Sequence, residues 1–263
     1  MAVALLPIAC GGGDSTPVIP AEVIKPAEPA QPTGIIRGYV LLKGDWPRAA
    51  TEKITQDQKT CGDEVALPRI VVGTENGVEN TFVFLEGVPS SAGARPAPVT
   101  ETILIDQKNC QYVPHSLIVP LGSTVDVVNS DPILHNVHGT QDGSNVFNYG
   151  QPQQGQRQAI DTGNMDLGIV TLSCEAGHPW MNAFMYVTKD PFVALTDKAG
   201  KFVIRDVPPG TYTIKMWHEG VQLKKINKML QTYEYEDAYE ASQEVTVTAD
   251  GVATVNFELT LRK

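Results

Sequence analysis

Asn129-Ser130-Asp131-Pro132-Ile133-Leu134-His135-Asn136-Val137 and, downstream, Cys174-Glu175-Ala176-Gly177-His178-Pro179-Trp180-Met181 are the stretches on which the reading of this chain turns. Together they offer a thiolate (Cys174), two imidazoles (His135 and His178) and a thioether (Met181). Thiolate and thioether favour a reduced soft ion and imidazoles serve either oxidation state. A plane of two imidazoles and one thiolate with a weak axial thioether therefore suits one copper ion cycling between Cu(I) and Cu(II). Three of these residues share one short loop and the fourth comes from a distant strand, so a rigid scaffold can set the geometry before metal arrives. Each residue alone has a plainer reading: Cys174 a buried thiol, His178 a capping side chain, Met181 ordinary core packing. Their coincidence with the upstream N-x-D-x-x-x-H-N-V pattern favours the metal.

Working outward, strand signals dominate from Gly34 onward. Val125 and Val127, and then Ala253, Val255, Phe257, Leu259 and Leu261, alternate with polar residues as half-buried strands do. Turns punctuate them at Lys43-Gly44-Asp45, Glu75-Asn76-Gly77, Leu121-Gly122-Ser123, Ala199-Gly200 and Pro208-Pro209-Gly210. Many short strands so punctuated predict an all-β protein built of β-sandwiches. The one stretch with helical spacing is 221–241, where Leu223, Ile226 and Leu230 precede an acidic, tyrosine-rich run; a helix is expected there.

Thr196-Asp197-Lys198-Ala199-Gly200-Lys201-Phe202, followed by Val207-Pro208-Pro209-Gly210-Thr211-Tyr212, resembles the carboxypeptidase regulatory-like, or transthyretin-like, β-sandwich, with its T-D-x-x-G-x-F and P-P-G-x-Y turns. That family opens with a G-x-V strand and a second strand ending near Gly. Here those pieces stand far upstream, as Gly38-Tyr39-Val40 and Phe82-Val83-Phe84-Leu85-Glu86-Gly87. The resemblance thus implies a split sandwich, 34–100 and 190–263, with a second domain, 101–189, inserted. A linear series of domains, with 34–100 adding strands to the metal domain, is the simpler alternative.

Residues 101–189 resemble the cupredoxins, Gly122-Ser123-Thr124-Val125 and Asn129 matching the family's strand before the first histidine. The resemblance implies a Greek-key β-sandwich with His135, Cys174, His178 and Met181 as ligands. It also implies that the backbone N–H of Asn136 bonds the ligand sulfur, and that His178, at the surface with Trp180 nearby, is the electron entry point. The loop, C-x3-H-x2-M, has the spacing of the second half of the binuclear copper-A loop, whose other cysteine would fall at Val170; a two-copper centre is therefore disfavoured. The whole chain is similar to bacterial plastocyanin-like proteins, some labelled methylamine-utilisation proteins, that combine such a loop with a T-D-x-x-G-x-F sandwich. Of the other histidines, His138 points to the opposite face of an extended segment from His135. His115 and His218 read as structural.

The 263 residues carry 20 basic and 30 acidic side chains, a formal charge of −10, which argues against a nucleic-acid surface and suits a basic docking partner. Residues 1–10 resemble a bacterial lipoprotein signal, an apolar run ending at Ala9-Cys10 with Cys10 the lipidated residue, though Pro7 stands where Leu is usual and no Lys or Arg precedes the run. Residues 11–33, with Pro17, Pro20, Pro26, Pro29 and Pro32, read as an extended tether. Cys61 and Cys110 remain. In an oxidising envelope they pair as a disulfide; in a reducing compartment they are two independent thiols.

These readings converge on an exported, lipid-anchored copper protein of the bacterial envelope, in the periplasm or at the outer surface. It is expected to be an electron carrier and not an enzyme, working with a c-type cytochrome or a membrane respiratory or photosynthetic complex. The alternative is a lipoprotein that binds copper without redox work, or that serves as a structural or interaction module.

Overall fold

The computed structural model describes residues 32–45, 50–67, 70–88, 102–227 and 232–262. Residues 1–31, including Cys10 and nearly all of the expected tether, lie outside them. The described chain is all-β. Two sandwiches, each with its own apolar core, are nested in sequence.

In the outer sandwich one sheet is centred on Gly34–Lys43, which pairs antiparallel with Lys201–Val207 and parallel with Val252–Thr254 and Phe257–Thr260. The facing sheet runs Val193–Leu195, Phe82–Glu86, Gly210–His218, Tyr239–Val247. Alternation sends Ile36, Val40, Ile204, Ile214, Phe257 and Leu259 into a shared core. The turn motifs have local causes. Asp197 Oδ1 accepts the N–H groups of Ala199 and Lys201 (2.9 and 3.0 Å), closing the hairpin in which Gly200 takes a φ of 70°. Beyond the next strand the Tyr212 phenol donates to Pro208 O (2.9 Å) and pins the Pro-Pro-Gly reversal.

The inner domain is built from strands of residues 103–188, which pair with one another. Its larger sheet runs Ser144–Gln151, His135–Gln141, Gly168–Ser173, Asn182–Thr188, Ser116–Pro120. The facing sheet runs Arg157–Asp161, Thr124–Asn129, Ile103–Gln107, Tyr112–Val113. Val125, Val127, Val137, Val170, Leu172 and Met185 fill the space between. An aromatic seam joins the two sandwiches: Tyr186 packs on Phe82 and Phe84 (ring centroids 5.6 and 4.9 Å) and Phe184 on Trp217 (5.1 Å).

The expected helix within 221–241 is a correction. Leu223–Asn227 and Thr232–Tyr235 form an antiparallel hairpin, and Tyr239–Val247 is the edge strand beyond it; Leu230 lies outside the described residues. The apolar spacing marked no buried face, since Ile226 is 38% exposed. Thr232, Tyr233 and Tyr235 favour the extended chain. The buried Glu236 carboxylate clamps it by accepting the Val221 and Gln222 N–H groups (3.1 and 3.0 Å) and the Tyr239 hydroxyl (2.5 Å). Among the described residues no helix is long and apolar enough to cross a membrane.

Candidate metal centre

The site lies where the strand Thr124–Asn129 ends, His135–Gln141 begins and Gly168–Ser173 runs out into the 174–181 loop. Asn129 makes the first turn. Its amide donates to Ile133 O and Gln151 O (both 2.8 Å) while its Oδ1 accepts the Asp131 N–H (3.0 Å). Asp131 is thereby aimed inward. Its Oδ1 accepts the Asn109 N–H, and its Oδ2 accepts both the Cys110 N–H and His135 Nε2–H, each at 2.8 Å. A carboxylate on Nε2 fixes the tautomer and leaves Nδ1 as the free lone pair.

The loop closes on itself through Cys174 N–H to Met181 O (3.2 Å) and Met181 N–H to His178 O (2.9 Å). Cys174 Sγ then lies 3.9 Å from His135 Nδ1 and 3.7 Å from His178 Nδ1, with the two imidazoles 4.8 Å apart at 66°. The three ligand atoms fall within 4.8 Å of one another. His135 and His178 are 0% exposed, Met181 1% and Cys174 3%, so no bulk water reaches the cluster. Val170 sits up the strand in the inner core.

Burial pushes the Cys174 thiol above its ordinary value; the backbone N–H groups of Ala176 and Asn136, which donate to the sulfur, work the other way, and the Glu175 charge adds to the rise. His178 is held below the usual imidazole range, first by burial and then by His135, with Asp57 partly offsetting both. Burial thus favours the neutral thiol, which faces the Nδ1 atoms of both histidines. A soft or borderline cation fits this set, which binds by displacing the thiol proton.

Asn136 does more than offer its amide. Its Oδ1 accepts the Glu175 N–H (3.2 Å) and its Nδ2 donates to Asn148 Oδ1 (2.6 Å), tying the first ligand's strand to the loop. His138 faces away from His135 and meets Glu175 (2.9 Å). His115 pairs with Glu219 at the join between the sandwiches, and His218 Nδ1 bonds Glu219 O (2.9 Å). Trp180 is partly buried, its ring 5.5 Å from His178 and its Nε1–H on Cys110 O (3.1 Å). The sulfurs of Cys61 and Cys110 are bonded to each other.

One expectation is overturned. His178 does not reach the surface: the 54–63 segment lies over it, Asp57 Oδ2 taking the Nε2 atom (3.1 Å) and Gln56 bonding Ala176 O (3.2 Å). Asp57, encoded far upstream, covers the edge of His178 that was expected to face solvent. Sequence reasoning also missed Tyr112, whose phenol reaches Asn136 O (2.5 Å) and Ser173 O (3.0 Å) and is pushed well above its ordinary pKa by burial, then by Cys174 and Glu175. Asp131, four residues before His135, was legible as a spacing; Asp57 had no local signal.

No protein-family model matches the chain, and no curated protein matches it. Among solved structures, a purple cupredoxin from Nitrosopumilus maritimus aligns with 33% of this chain and 99% of its own at 23% identity and a TM-score of 0.28. A mutant amicyanin in its Cu(I) form aligns with 40% and 98% at 22% identity, TM-score 0.29. A copper-containing nitrite reductase from Thermus scotoductus aligns with 38% and 27% at 20% identity, TM-score 0.29.

Proposed function

We propose that the chain is a mononuclear copper protein of cupredoxin type that carries single electrons, with a transthyretin-like sandwich around the metal domain. One observation carries the reading: the Nδ1 atoms of His135 and His178 both face the Cys174 sulfur, at 3.9 and 3.7 Å, in a buried pocket. Both Nε2 atoms are held by carboxylates, Asp131 and Asp57. Bound copper would supply a one-electron couple there. His135, Cys174, His178 and Met181 would hold it. Asp131, Asp57 and the Asn136 and Ala176 amides keep those side chains oriented, which limits rearrangement between oxidation states.

A carrier and not a catalyst is favoured because the ligand residues are sealed from water and leave a substrate no approach. With His178 covered, Trp180 becomes the port: it is partly exposed and in ring contact with His178. The charge of −10 suits a basic partner such as a c-type cytochrome or a positively charged face of a membrane redox complex. The Ala9-Cys10 junction supports export and lipid anchoring.

Visible absorption tests the reading. The full chain loaded with Cu(II) is expected to show an intense thiolate-to-copper band that Cys174→Ser abolishes. A colourless protein that binds copper through other residues would overturn it.

A further inference from the structure

The disulfide stands against the metal centre. Cys61 Sγ, Cys110 Sγ and one imidazole nitrogen of His178 lie within 4.8 Å of one another, so the bond stands beside a residue that also belongs to the Cys174 cluster. Its two halves have different owners. Cys110 belongs to the inner domain, fully buried in the turn before Tyr112–Val113. Cys61 ends the four-residue helix Gln58–Cys61 in the covering segment and is only partly buried.

Among the described residues, that segment is tied to the loop by few other side-chain hydrogen bonds. It stands on the hairpin of Ala50–Lys53 with Glu64–Leu67, and its helix buries no residue. Besides Ile54, 2% exposed, it holds to the loop through the Gln56 and Asp57 hydrogen bonds. The covalent bond is therefore a clasp between the cover and the inner domain. A disulfide sulfur is a poor ligand for a soft cation, whereas two thiolates and an imidazole suit Cu(I). Oxidised, these sulfurs are a clasp. Reduced, they are donors beside His178.

We propose that reduction of the Cys61–Cys110 disulfide by a dithiol converts the clasp into a second soft-metal site, formed by Cys61, Cys110 and His178 and taking Cu(I). One thiolate of the dithiol attacks the sulfur of Cys61, the less buried residue of the two, the bond to Cys110 breaks, and Cys110 leaves as a thiolate. The second thiol of the dithiol then displaces Cys61. Two electrons pass to the protein, the reductant becomes a disulfide, and two protons end on Cys61 and Cys110. Those protons leave when Cu(I) binds the thiolates. Because His178 belongs to both clusters, its imidazole can hand a Cu(I) ion from the new site to the first. Only this last role rests on the function proposed above; the binding itself does not.

The test uses the full chain carrying Cys174→Ser, which removes the thiolate of the first site, and Cu(I) held by a chromophoric chelator. The oxidised protein is expected to leave the chelator's colour unchanged. After reduction with dithiothreitol and its anaerobic removal, a thiol assay should find two new thiols, and the protein should withdraw one equivalent of Cu(I). Adding Cys61→Ser or Cys110→Ser should abolish that withdrawal, and adding His178→Asn should weaken it. The proposal is overturned if the thiols appear and no Cu(I) is withdrawn, or if excess dithiol frees no thiols from the folded protein. It is equally overturned if the His178→Asn protein binds as well as its parent, which would mark a loose dithiol and not a built site. The visible band of the Cu(II)-loaded parent chain reads the first site separately, so its absence would sink the carrier reading and leave this one standing.

Discussion

Asp131→Asn is the sharpest perturbation of the site, because the carboxylate has three acceptor duties and the amide can keep only two. With its oxygen in the Oδ2 position the asparagine still accepts from the Cys110 N–H and from His135 Nε2–H. Its NH2 group then points at the Asn109 N–H, donor against donor across what was a 2.8 Å bond. The flipped rotamer is worse, since it sacrifices two bonds to save one. A hydrogen bond to a charged group is worth about 1.5–3 kcal/mol, and the side chain is only 5% exposed, so water repairs little. Relief from burying a charge offsets part of that, leaving an expected net loss of about 2 kcal/mol in the metal-free protein. The imidazole also trades a carboxylate for an amide, becomes a weaker donor, and should bind Cu(II) about 10–100-fold less tightly, with a raised reduction potential. Urea unfolding of the apo protein and a Cu(II) competition titration read the two effects separately. An unfolding free energy and a Cu(II) affinity both equal to wild type would refute the claim that Asp131 orients His135.

Tyr112→Phe removes the phenol that bridges Asn136 O and Ser173 O inside the inner domain, and should lower apo stability by about 1–2 kcal/mol; an unchanged urea midpoint would show that the bridge is idle. Copper affinity should weaken with acid. Between the lowered pKa of His178 and the raised pKa of Cys174 one thiol proton is displaced on binding, so log K should rise by about one per pH unit, and a flat profile would mean that Cys174 is not a ligand. Gly38→Ala puts a Cβ where Val255 O lies only 1.5 Å away, at the centre of the outer sandwich; a cost of about 3 kcal/mol in thermal or urea unfolding is expected, and a neutral substitution would show that the strands there are not so closely set.

The parts of this architecture that were legible are those encoded by short spacing. Cys174, His178 and Met181 share a loop, and Asp197, Gly200 and Pro208 to Gly210 act within a few residues of themselves, so their types announce their geometry. The early placement of Gly38 and Phe82 relative to Thr196 carried the idea of a split sandwich, because two halves of one pattern stood on either side of another. What stayed illegible acts over distance. Asp57 reaches His178 across 121 residues, and nothing about an aspartate between two glutamines marks it as the cover of a buried histidine. The 221–241 stretch misled for the opposite reason: its apolar residues fall at helical spacing, while Glu236, a polar residue, does the buried work. Tyr112 escaped because a tyrosine beside a turn has no pattern of its own.

The nesting of the two sandwiches also sets an order of events. The strand Gly34–Lys43 is made early, yet its parallel partners are Val252–Thr254 and Phe257–Thr260, and its Tyr39 amide waits for Asn256, 217 residues later. Every strand of the inner domain is complete long before those partners emerge, so the inner domain can close while the surrounding half is still an open edge. The strands Val252–Thr254 and Phe257–Thr260 thus work as a keystone. A ribosome that holds them back holds back the outer sandwich, and leaves its first strand, apolar on one face, as an unpaired edge.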